Sequence, residues 1–465
     1  MATMSVTHQK IALPWFRLGL LCIWFLSLGL RVWGLNRFNT LVFDEIYFAR
    51  FGNNYLNHTP FFDAHPPLGK YLIAVSIALG GFNPTGYRWM NALVGSLLPL
   101  LVAWLAYQLT QRRSYGLIAG FLAAMDGLLL VESRYALINV YLLGFGLLGQ
   151  VLILAALKRR GIGRILGMGL AGIAFGCCIA VKWNGLGLLL GLYLTWMVAK
   201  LLPLGQLKQS LVDRPWLRIR QWHLLELGVL IPAIAALTYG LLWIPHLQQN
   251  PGSDLLSLQR QILDYHKGIA HQAHTYCSPW YSWPLMLRPV SYFYQRAIEL
   301  SEPMPVIGPS LPQTATRWIY DVHAMGNPLL WWFSSLAMVL LVVLLVQRCY
   351  RIFRSPQANL ALLQAEGVWI PLYLVCNYAA NLLPWAGVSR CLFIYHYMPA
   401  SLFSFLGLAW LLEGGLKSGK QGERIVSITL LCLVAIALVY WLPIFLGLPF
   451  PQSEFRRFFW FPSWI

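Results

Sequence analysis

Residues 12–33, ALPWFRLGLLCIWFLSLGLRVW, form a nearly continuous apolar run, and residues 39–54, NTLVFDEIYFARFGNN, follow it with two adjacent carboxylates. An α-helix needs about 20 apolar residues to cross the roughly 30 Å hydrocarbon core of a bilayer. The first stretch therefore predicts a membrane span. The second raises a question, because neighbouring carboxylates beside a bilayer repel each other and resist desolvation unless they are solvated or take part in chemistry.

Apolar runs of this kind recur along the whole chain. Of its 465 residues, 58% are hydrophobic and 11% are charged, about half the charged share of a soluble domain, and the mean hydropathy is +0.60. We predict about eleven transmembrane helices and a single all-α integral membrane domain over residues 1–465. The predicted spans are 12–33, 88–109, 115–131, 136–157, 164–181, 184–201, 223–244, 328–346, 360–378, 391–412 and 424–445.

Basic residues are grouped in short clusters between the predicted spans. The net charge is +18, and the clusters are QRR (111–113), KRRGIGR (158–164), KQSLVDRPWLRIR (208–220), QRCYRIFR (347–354) and KSGKQGER (417–424). All five lie on one side if the first span runs outward from the cytoplasm, and the positive-inside rule makes that side cytoplasmic. An odd number of spans then places the C-terminus outside. Because the clusters do not form one patch, nucleic acid is not an expected partner.

Two loops are predicted to hold the mass outside the membrane, residues 34–87 and 245–327, both on the outer face. They are rich in aromatic and polar residues, as expected of short helices at the membrane interface. Leu255, Leu258 and Ile262 recur near a helical period and indicate an amphipathic helix. No long polar segment is present, so no appended soluble domain is expected.

The eight cysteines indicate no disulfide framework. Most of them, such as Cys22, Cys177 and Cys432, fall within apolar runs, where a thiol behaves as a small hydrophobe. Cys277 alone lies in the middle of an outer loop. No disulfide is therefore expected.

Ionisable residues gather on the predicted outer face. Residues of this kind at a membrane are functional candidates, because their desolvation has to be offset. A carboxylate could deprotonate a nucleophile, and a nearby cation could hold a phosphate, for which Arg is suited by its bidentate geometry. Together they would serve a phosphate-linked donor and a hydroxyl acceptor. The set is Asp44, Glu45, Asp63, His65, Lys70, Asp126, Glu132, Arg134, Lys182, Arg390 and His396.

Each candidate also has a structural interpretation. An Asp-Glu pair in a loop is ordinarily solvated, and the prolines of HPPLGK (65–70) can simply make a rigid turn. Glu132 and Arg134 could form an ion pair at the mouth of a span. His396 is typical of a hydrogen-bonded core histidine, and Lys182 could reach the interface along its aliphatic stem.

The order of several blocks resembles the protein O-mannosyltransferase family of polyprenyl-phosphate-sugar-dependent glycosyltransferases. The resemblance covers nearly the whole chain, and DAHPPLGK is closer to this family than to the related aminoarabinose transferases. It implies an eleven-span C-type membrane glycosyltransferase fold with its active site on the outer face. The blocks are FDEIYFARFGNNYLN (43–57), FFDAHPPLGKYLIA (61–74), MDGLLLVESRYALINVYLL (125–143), CIAVKWNGLGLLLGLY (178–193), WYSWPLMLRPVSYFY (280–294), GNPLLWW (326–332) and RCLFIYHYMPA (390–400).

The resemblance also implies roles for particular residues. The Asp-Glu block makes Asp44 the catalytic base and Glu45 its supporting partner. The Ser-Arg-Tyr block makes Arg134 a donor-phosphate or site-organising residue. The Val-Lys-Trp block and the last block add Lys182 and Arg390 to the residues that hold the donor phosphate.

The remaining site residues come from the His-Pro-Pro block. It places Asp63, His65 and Lys70 in support of the site. Asp63 with His65 is a weak basis for a divalent metal, since a third ligand is missing, so no metal site is predicted. Where many members of the family carry an Asp, this chain has Asn139.

The implied reaction moves a hexose, expected to be mannose, from a polyprenyl or dolichyl phosphate to a Ser or Thr hydroxyl of an extended secreted or membrane polypeptide, with inversion. The lipid-linked sugar is the only cofactor expected. Expected partners are this donor, the polypeptide, membrane lipids and the Sec translocon. The 245–327 loop is too short for the soluble β-rich domain of eukaryotic members, which indicates a bacterial plasma-membrane enzyme.

Two alternatives stay open. The same fold could transfer a sugar to a lipid or a cell-wall glycan, as aminoarabinose and arabinosyl transferases do. The chain could also be a transporter or flippase for a lipid-linked sugar. A transporter would more often show paired halves and charges at the bilayer midplane, and neither is evident here.

Overall fold

The computed structural model describes residues 14–201, 224–269, 274–297, 305–308, 317–354 and 366–465. In these segments, nine helices are long and apolar enough to cross a membrane, and a tenth span results if the bent pair α5 and α6 is counted as one. The helices are α1 (Trp15–Val32), α2 (Glu45–Leu56), α3 (Leu68–Gly80), α4 (Pro84–Thr110), α5 (Arg113–Ala124), α6 (Gly127–Arg134), α7 (Asn139–Ala156), α8 (Gly161–Val181), α9 (Leu186–Leu201), α10 (Ile231–Gln249), α11 (Leu255–Gly268), α12 (Pro328–Arg354), α13 (Glu366–Leu382), α14 (Met398–Leu416), α15 (Gln421–Leu446) and α16 (Phe455–Phe458).

These helices confirm the predicted membrane fold. Each predicted span overlaps a helix of the structure or, for 115–131, the pair α5 and α6. The predicted span 360–378 corresponds to α13, which has 17 residues, and its first six predicted positions lie outside the described residues. The basic cluster 208–220 lies outside them as well.

The predicted third span is broken at Asp126, where α5 and α6 meet at 62°. The Asp126 carboxylate accepts hydrogen bonds from Leu129 N at 2.9 Å and from Trp331 Nε1 at 2.7 Å. Asn327 Nδ2 donates to Met125 O and to Val434 O. The backbone groups freed by the break are therefore satisfied inside the protein, as an interruption at membrane depth requires. Asp126 has a structural role.

The two long loops predicted for the outer face contain helices and strands. The first holds α2 and α3, and the second holds α11, whose first turn is capped by the side chain of Asp254 and which buries Leu258 and Ile262. This confirms the predicted amphipathic helix. The second loop also forms an antiparallel hairpin of β1 (Val290–Ala297) and β2 (Trp318–Ala324), and β2 pairs with the short β3 (Phe450–Pro451). This sheet was not predicted from the sequence.

Candidate active site

Glu45 is buried in an ion pair that fixes the start of α2. Its two carboxylate oxygens lie 2.8 and 2.7 Å from Nε and Nη2 of Arg88, and neither side chain is exposed. The carboxylate also accepts hydrogen bonds from Val42 N and Ala136 N, each at 2.8 Å. Arg88 in turn donates to three backbone carbonyls of residues 35–40. Glu45 therefore holds its own segment in place.

Asp44 differs from its neighbour in both surroundings and partners. Its carboxylate lines a polar cavity of about 330 Å³. Within the segments that the structure describes, it forms no hydrogen bond or ion pair. Burial raises the pKa of Asp44 to about 6, an effect that Lys182 opposes and Asp63 increases. A carboxylate with a raised pKa and free oxygens can accept a proton from a bound hydroxyl.

The His-Pro-Pro turn forms one wall of this polar cavity. Lys70 is fully buried, pairs with Asp63, and donates to the carbonyl of His65 at 2.9 Å and to that of Pro66. The turn is thus tied to the first turn of α3 by a buried ion pair. The His65 side chain lines the cavity, and burial holds its pKa well below the ordinary value. His65 is therefore neutral near pH 7.

Lys182 reaches the cavity at the end of α8, where its ammonium lies 5.2 Å from the ring centre of Tyr395. Its Nζ lies 3.4 Å from Asn139 Oδ1, and Asn139 Nδ2 donates to Glu132 at 3.1 Å. Tyr292 OH donates to the other oxygen of Glu132 at 2.5 Å. The amide of Asn139 thus links a cation to a carboxylate, a link in which an ionised Asp could not donate.

Arg390 also lines the cavity, in a segment held by a disulfide. Cys277 is bonded to Cys391, across 114 residues of sequence. Ser278 N also donates to Leu392 O at 2.8 Å. The expectation of no disulfide was therefore wrong. It failed because Cys391 falls within the predicted span 391–412, whereas the structure places it in the loop before the helical turn Ile394–Tyr397.

Removal of this disulfide should loosen the segment that carries Arg390. We expect Cys277→Ser, Cys391→Ser and the double variant to lower the midpoint of thermal unfolding alike, since loss of a disulfide closing a long loop costs about 2–5 kcal/mol. Differential scanning fluorimetry with and without a reductant measures this. The reductant should lower the midpoint of the wild type and of the Cys22→Ser control but not that of the double variant. Equal midpoints for all five proteins would contradict the pairing.

Arg134 lies apart from the other predicted cations. Its Nη atoms donate to four carbonyls of residues 30–34, at distances between 2.7 and 3.1 Å. It is 2% exposed and lines neither the polar cavity nor the apolar groove described below. This geometry corresponds to the site-organising role, because Arg134 ties the end of α1 to the end of α6. Arg134 forms no pair with Glu132, whose partners are Asn139 and Tyr292.

An apolar groove of about 620 Å³ opens next to the polar cavity. Its walls come from α9, including Leu189 and Tyr193, and from the turn after α13, including Trp385. The groove and the cavity share four lining residues, which are His65, Lys182, His266 and Arg390. Both cations therefore stand where an apolar space meets a polar one.

Several residues of the candidate site were not predicted from the sequence. Arg88 is the first residue of the predicted span 88–109, and Tyr292 and His266 lie in the predicted loop 245–327. The only sequence signal for Arg88 was a charge at the edge of an apolar run. Among the described residues, no group of three or more His, Cys, Asp or Glu side chains is placed to hold a metal ion.

Solved structures share this architecture. One chain of the Saccharomyces cerevisiae protein O-mannosyltransferase Pmt1-Pmt2 complex, bound to the sugar donor, matches with a TM-score of 0.79 at 14% identity over 100% of this chain and 93% of that chain. The archaeal oligosaccharyltransferase AglB from Archaeoglobus fulgidus matches with a TM-score of 0.53 at 14% identity, over 93% of this chain and 55% of that chain. The fold is that of a membrane glycosyltransferase.

Sequence comparison narrows this class. The family described as "Dolichyl-phosphate-mannose-protein mannosyltransferase" matches residues 21–87 and 83–250, and the "C-terminal four TMM region of protein-O-mannosyltransferase" matches residues 252–464. The polyprenol-phosphate-mannose--protein mannosyltransferase of Mycobacterium tuberculosis is 25% identical over 95% of this chain and 89% of its own length. That of Corynebacterium glutamicum is 24% identical over 86% and 81%. The chain belongs to the protein mannosyltransferase family, which confirms the resemblance.

Proposed function

We propose that this protein transfers mannose from a polyprenyl phosphate to Ser or Thr hydroxyls of an extended polypeptide. The observation that carries the proposal is the junction of the apolar groove with the polar cavity at Lys182 and Arg390. A polyprenyl-phosphate sugar has its groups in the same order: an apolar chain, then an anionic phosphate, then a polar sugar. The lipid chain would lie in the groove and the sugar in the cavity.

In this arrangement Asp44 acts as the base. As the acceptor oxygen bonds to the anomeric carbon, the hydroxyl proton passes to the Asp44 carboxylate. The bond from the anomeric carbon to the phosphate oxygen breaks, and its electrons leave with the polyprenyl phosphate. Lys182 and Arg390 stabilise the charge that develops there. One displacement needs a single base and inverts the anomeric centre.

We also propose that the site faces the outside of a bacterial plasma membrane, with the N-terminus in the cytoplasm. The basic clusters between spans support this orientation through the positive-inside rule. The Cys277–Cys391 bond beside the site supports it as well, because disulfides persist in oxidising compartments. An extended polypeptide leaving the Sec translocon would then meet the site before folding.

A transfer assay tests the proposed function. The full chain is purified into lipid nanodiscs and given polyprenyl phosphate carrying labelled mannose. Three acceptors are compared: a Ser/Thr peptide, the same peptide with Ala at every hydroxyl position, and a glycolipid. Label on the first alone is expected. Label on the glycolipid alone would overturn the polypeptide acceptor, and label on none would overturn the transferase activity on these substrates.

The pKa of Asp44 predicts how the rate depends on pH. Since only the ionised carboxylate takes the proton and its pKa is about 6, kcat/KM should fall about tenfold per unit below pH ~5 and level off near pH ~7. His65 and His266 do not produce this limb, because burial lowers the pKa of both, that of His266 to about 4. Initial rates between pH ~4.5 and ~8 measure the profile. A rate that rises on acidification would contradict an ionised base.

The two cations at the junction predict a second effect. Lys182→Met and Arg390→Met should each raise the donor KM about 10–100-fold, because a hydrogen bond to a charged group contributes about 1.5–3 kcal/mol. The peptide KM should change much less. Lys267→Met is the matched control, since Lys267 is exposed on α11 and lines neither space. A donor KM that is unchanged in both variants would place the phosphate elsewhere.

A further inference from the structure

A second groove adjoins the polar cavity along α2. It has a volume of about 460 Å³ and is formed by the face of α2 from Ile46 to Asn54 together with Leu41 and Phe82. Tyr47 and Phe51 line both this groove and the polar cavity. Tyr47 is 53% exposed. The groove therefore extends the cavity of Asp44 along the helix that Asp44 precedes.

The polar side chains of this groove have no hydrogen-bond or ion-pair partner in the part of the chain that the structure describes. Within the described segments, no hydrogen bond or ion pair is formed by the guanidinium of Arg50 or by the side-chain amides of Asn53 and Asn54. Elsewhere on α2 the polar groups are engaged, as in the pair of Glu45 with Arg88 and the contact of Tyr55 OH with His246 at 2.7 Å. The unpaired groups are thus concentrated on the side of α2 that faces the groove.

The α2 groove and the apolar groove meet the polar cavity at different residues. The apolar groove shares His65, Lys182, His266 and Arg390 with the cavity, and none of these lines the α2 groove. A donor in the apolar groove would leave the approach past Tyr47 and Phe51 open. The hydroxyl that attacks the sugar has to arrive by a route that the donor does not fill.

We propose that the α2 groove binds the acceptor polypeptide in an extended conformation and presents its Ser or Thr to Asp44. This inference rests on the proposed function. An amide side chain carries both a donor and an acceptor, the two groups that an extended backbone offers. Asn53 and Asn54 therefore hold the backbone of many sequences, which suits an enzyme with varied protein substrates.

Arg50 gives the groove a preference for acidic over basic acceptor peptides. Among the described residues that line the groove it is the only charged one, and it is exposed. An acidic side chain near the reactive hydroxyl would be attracted to it, and a basic one repelled. Acceptors with Asp close to the Ser or Thr should therefore be better substrates than acceptors with Lys at the same positions.

Charge reversal tests this preference. Three peptides with one Thr each, flanked by Asp, Ala or Lys, are compared by kcat/KM in the nanodisc assay. The wild type should favour the Asp peptide, and Arg50→Glu should favour the Lys peptide, with a change in their ratio of at least about tenfold. A midpoint of thermal unfolding equal to that of the wild type shows that Arg50→Glu is folded. Arg260→Glu, at an exposed position of α11 outside the three spaces, should leave the ratio unchanged.

A second variant tests the backbone contacts. Asn53→Leu combined with Asn54→Leu should raise the KM of the Ala peptide about tenfold, while the donor KM and the charge preference stay as in the wild type.

An equal shift of the kcat/KM ratio of the Asp and Lys peptides in Arg50→Glu and Arg260→Glu would reduce the effect to the general surface field and overturn the proposal. The proposal would also be overturned if the effect of Arg50→Glu on this ratio depended only on the fraction of anionic lipid in the nanodisc.

The outcomes also separate this inference from the proposed function. If the wild type transfers mannose to peptides but Arg50→Glu leaves the ratio of kcat/KM for the Asp and Lys peptides unchanged, only the proposed acceptor groove is overturned. No transfer to any hydroxyl peptide by the wild type overturns the proposed function, and the acceptor groove with it.

Discussion

Asp44→Asn should lower kcat for mannose transfer about 1,000-fold, since a positioned general base contributes about 10²–10⁴-fold. The amide has nearly the shape of the carboxylate but cannot take the proton of the attacking hydroxyl. The donor KM should change little, because the phosphate contacts are assigned to Lys182 and Arg390. Initial rates of label transfer to a Ser/Thr peptide, at saturating donor, measure the effect.

The control for this variant is Asp264→Asn. Asp264 is exposed on α11 and lines none of the three spaces, so its loss should leave kcat unchanged. Asp44→Asn should also unfold at the same temperature as the wild type or a higher one, because it removes a desolvated carboxylate that has no partner among the described residues. Full activity of Asp44→Asn would show that another group takes the proton.

The membrane fold was predictable because it depends on local composition. A helix in lipid satisfies its backbone hydrogen bonds within its own segment, so each span is visible as a run of apolar residues. The break at Asp126 was not predictable, because its carboxylate is satisfied by Leu129 nearby and by Trp331 and Asn327 some 200 residues further along the chain. The sheet was missed for the same reason, since β3 comes from the far end of the chain.

The site was predictable in so far as it depends on which side of the membrane a residue lies. That criterion grouped Asp44, Asp63 and His65 with Lys182 and Arg390, and all five line the polar cavity. It could not separate a cation that faces the cavity from one that faces the backbone, because both lie at the ends of spans. Arg134 was therefore grouped with Lys182, although carbonyls of α1 occupy its Nη atoms.

Glu45→Gln should destabilise the fold, in contrast to Asp44→Asn. It leaves the buried guanidinium of Arg88 without its counter-ion, and removal of one partner from a buried ion pair costs about 3–5 kcal/mol. The midpoint of thermal unfolding should fall clearly, and transfer should fall with it because Asp44 is the next residue. Glu454→Gln is the matched control. It breaks an ion pair with Arg457 that is half exposed, and its midpoint should change little.

A double-mutant cycle tests whether Glu45 stabilises the fold by neutralising the charge of Arg88. If Glu45 acts by neutralising Arg88, Arg88→Gln combined with Glu45→Gln should be less destabilising than the sum of the two single variants, by at least about 1 kcal/mol. Additive losses would mean instead that Arg88 acts mainly through the carbonyls of residues 35–40. The two adjacent carboxylates thus predict opposite signatures. Loss of Asp44 lowers the rate of transfer and leaves the fold stable. Loss of Glu45 lowers the rate of transfer because it loosens the segment that positions Asp44.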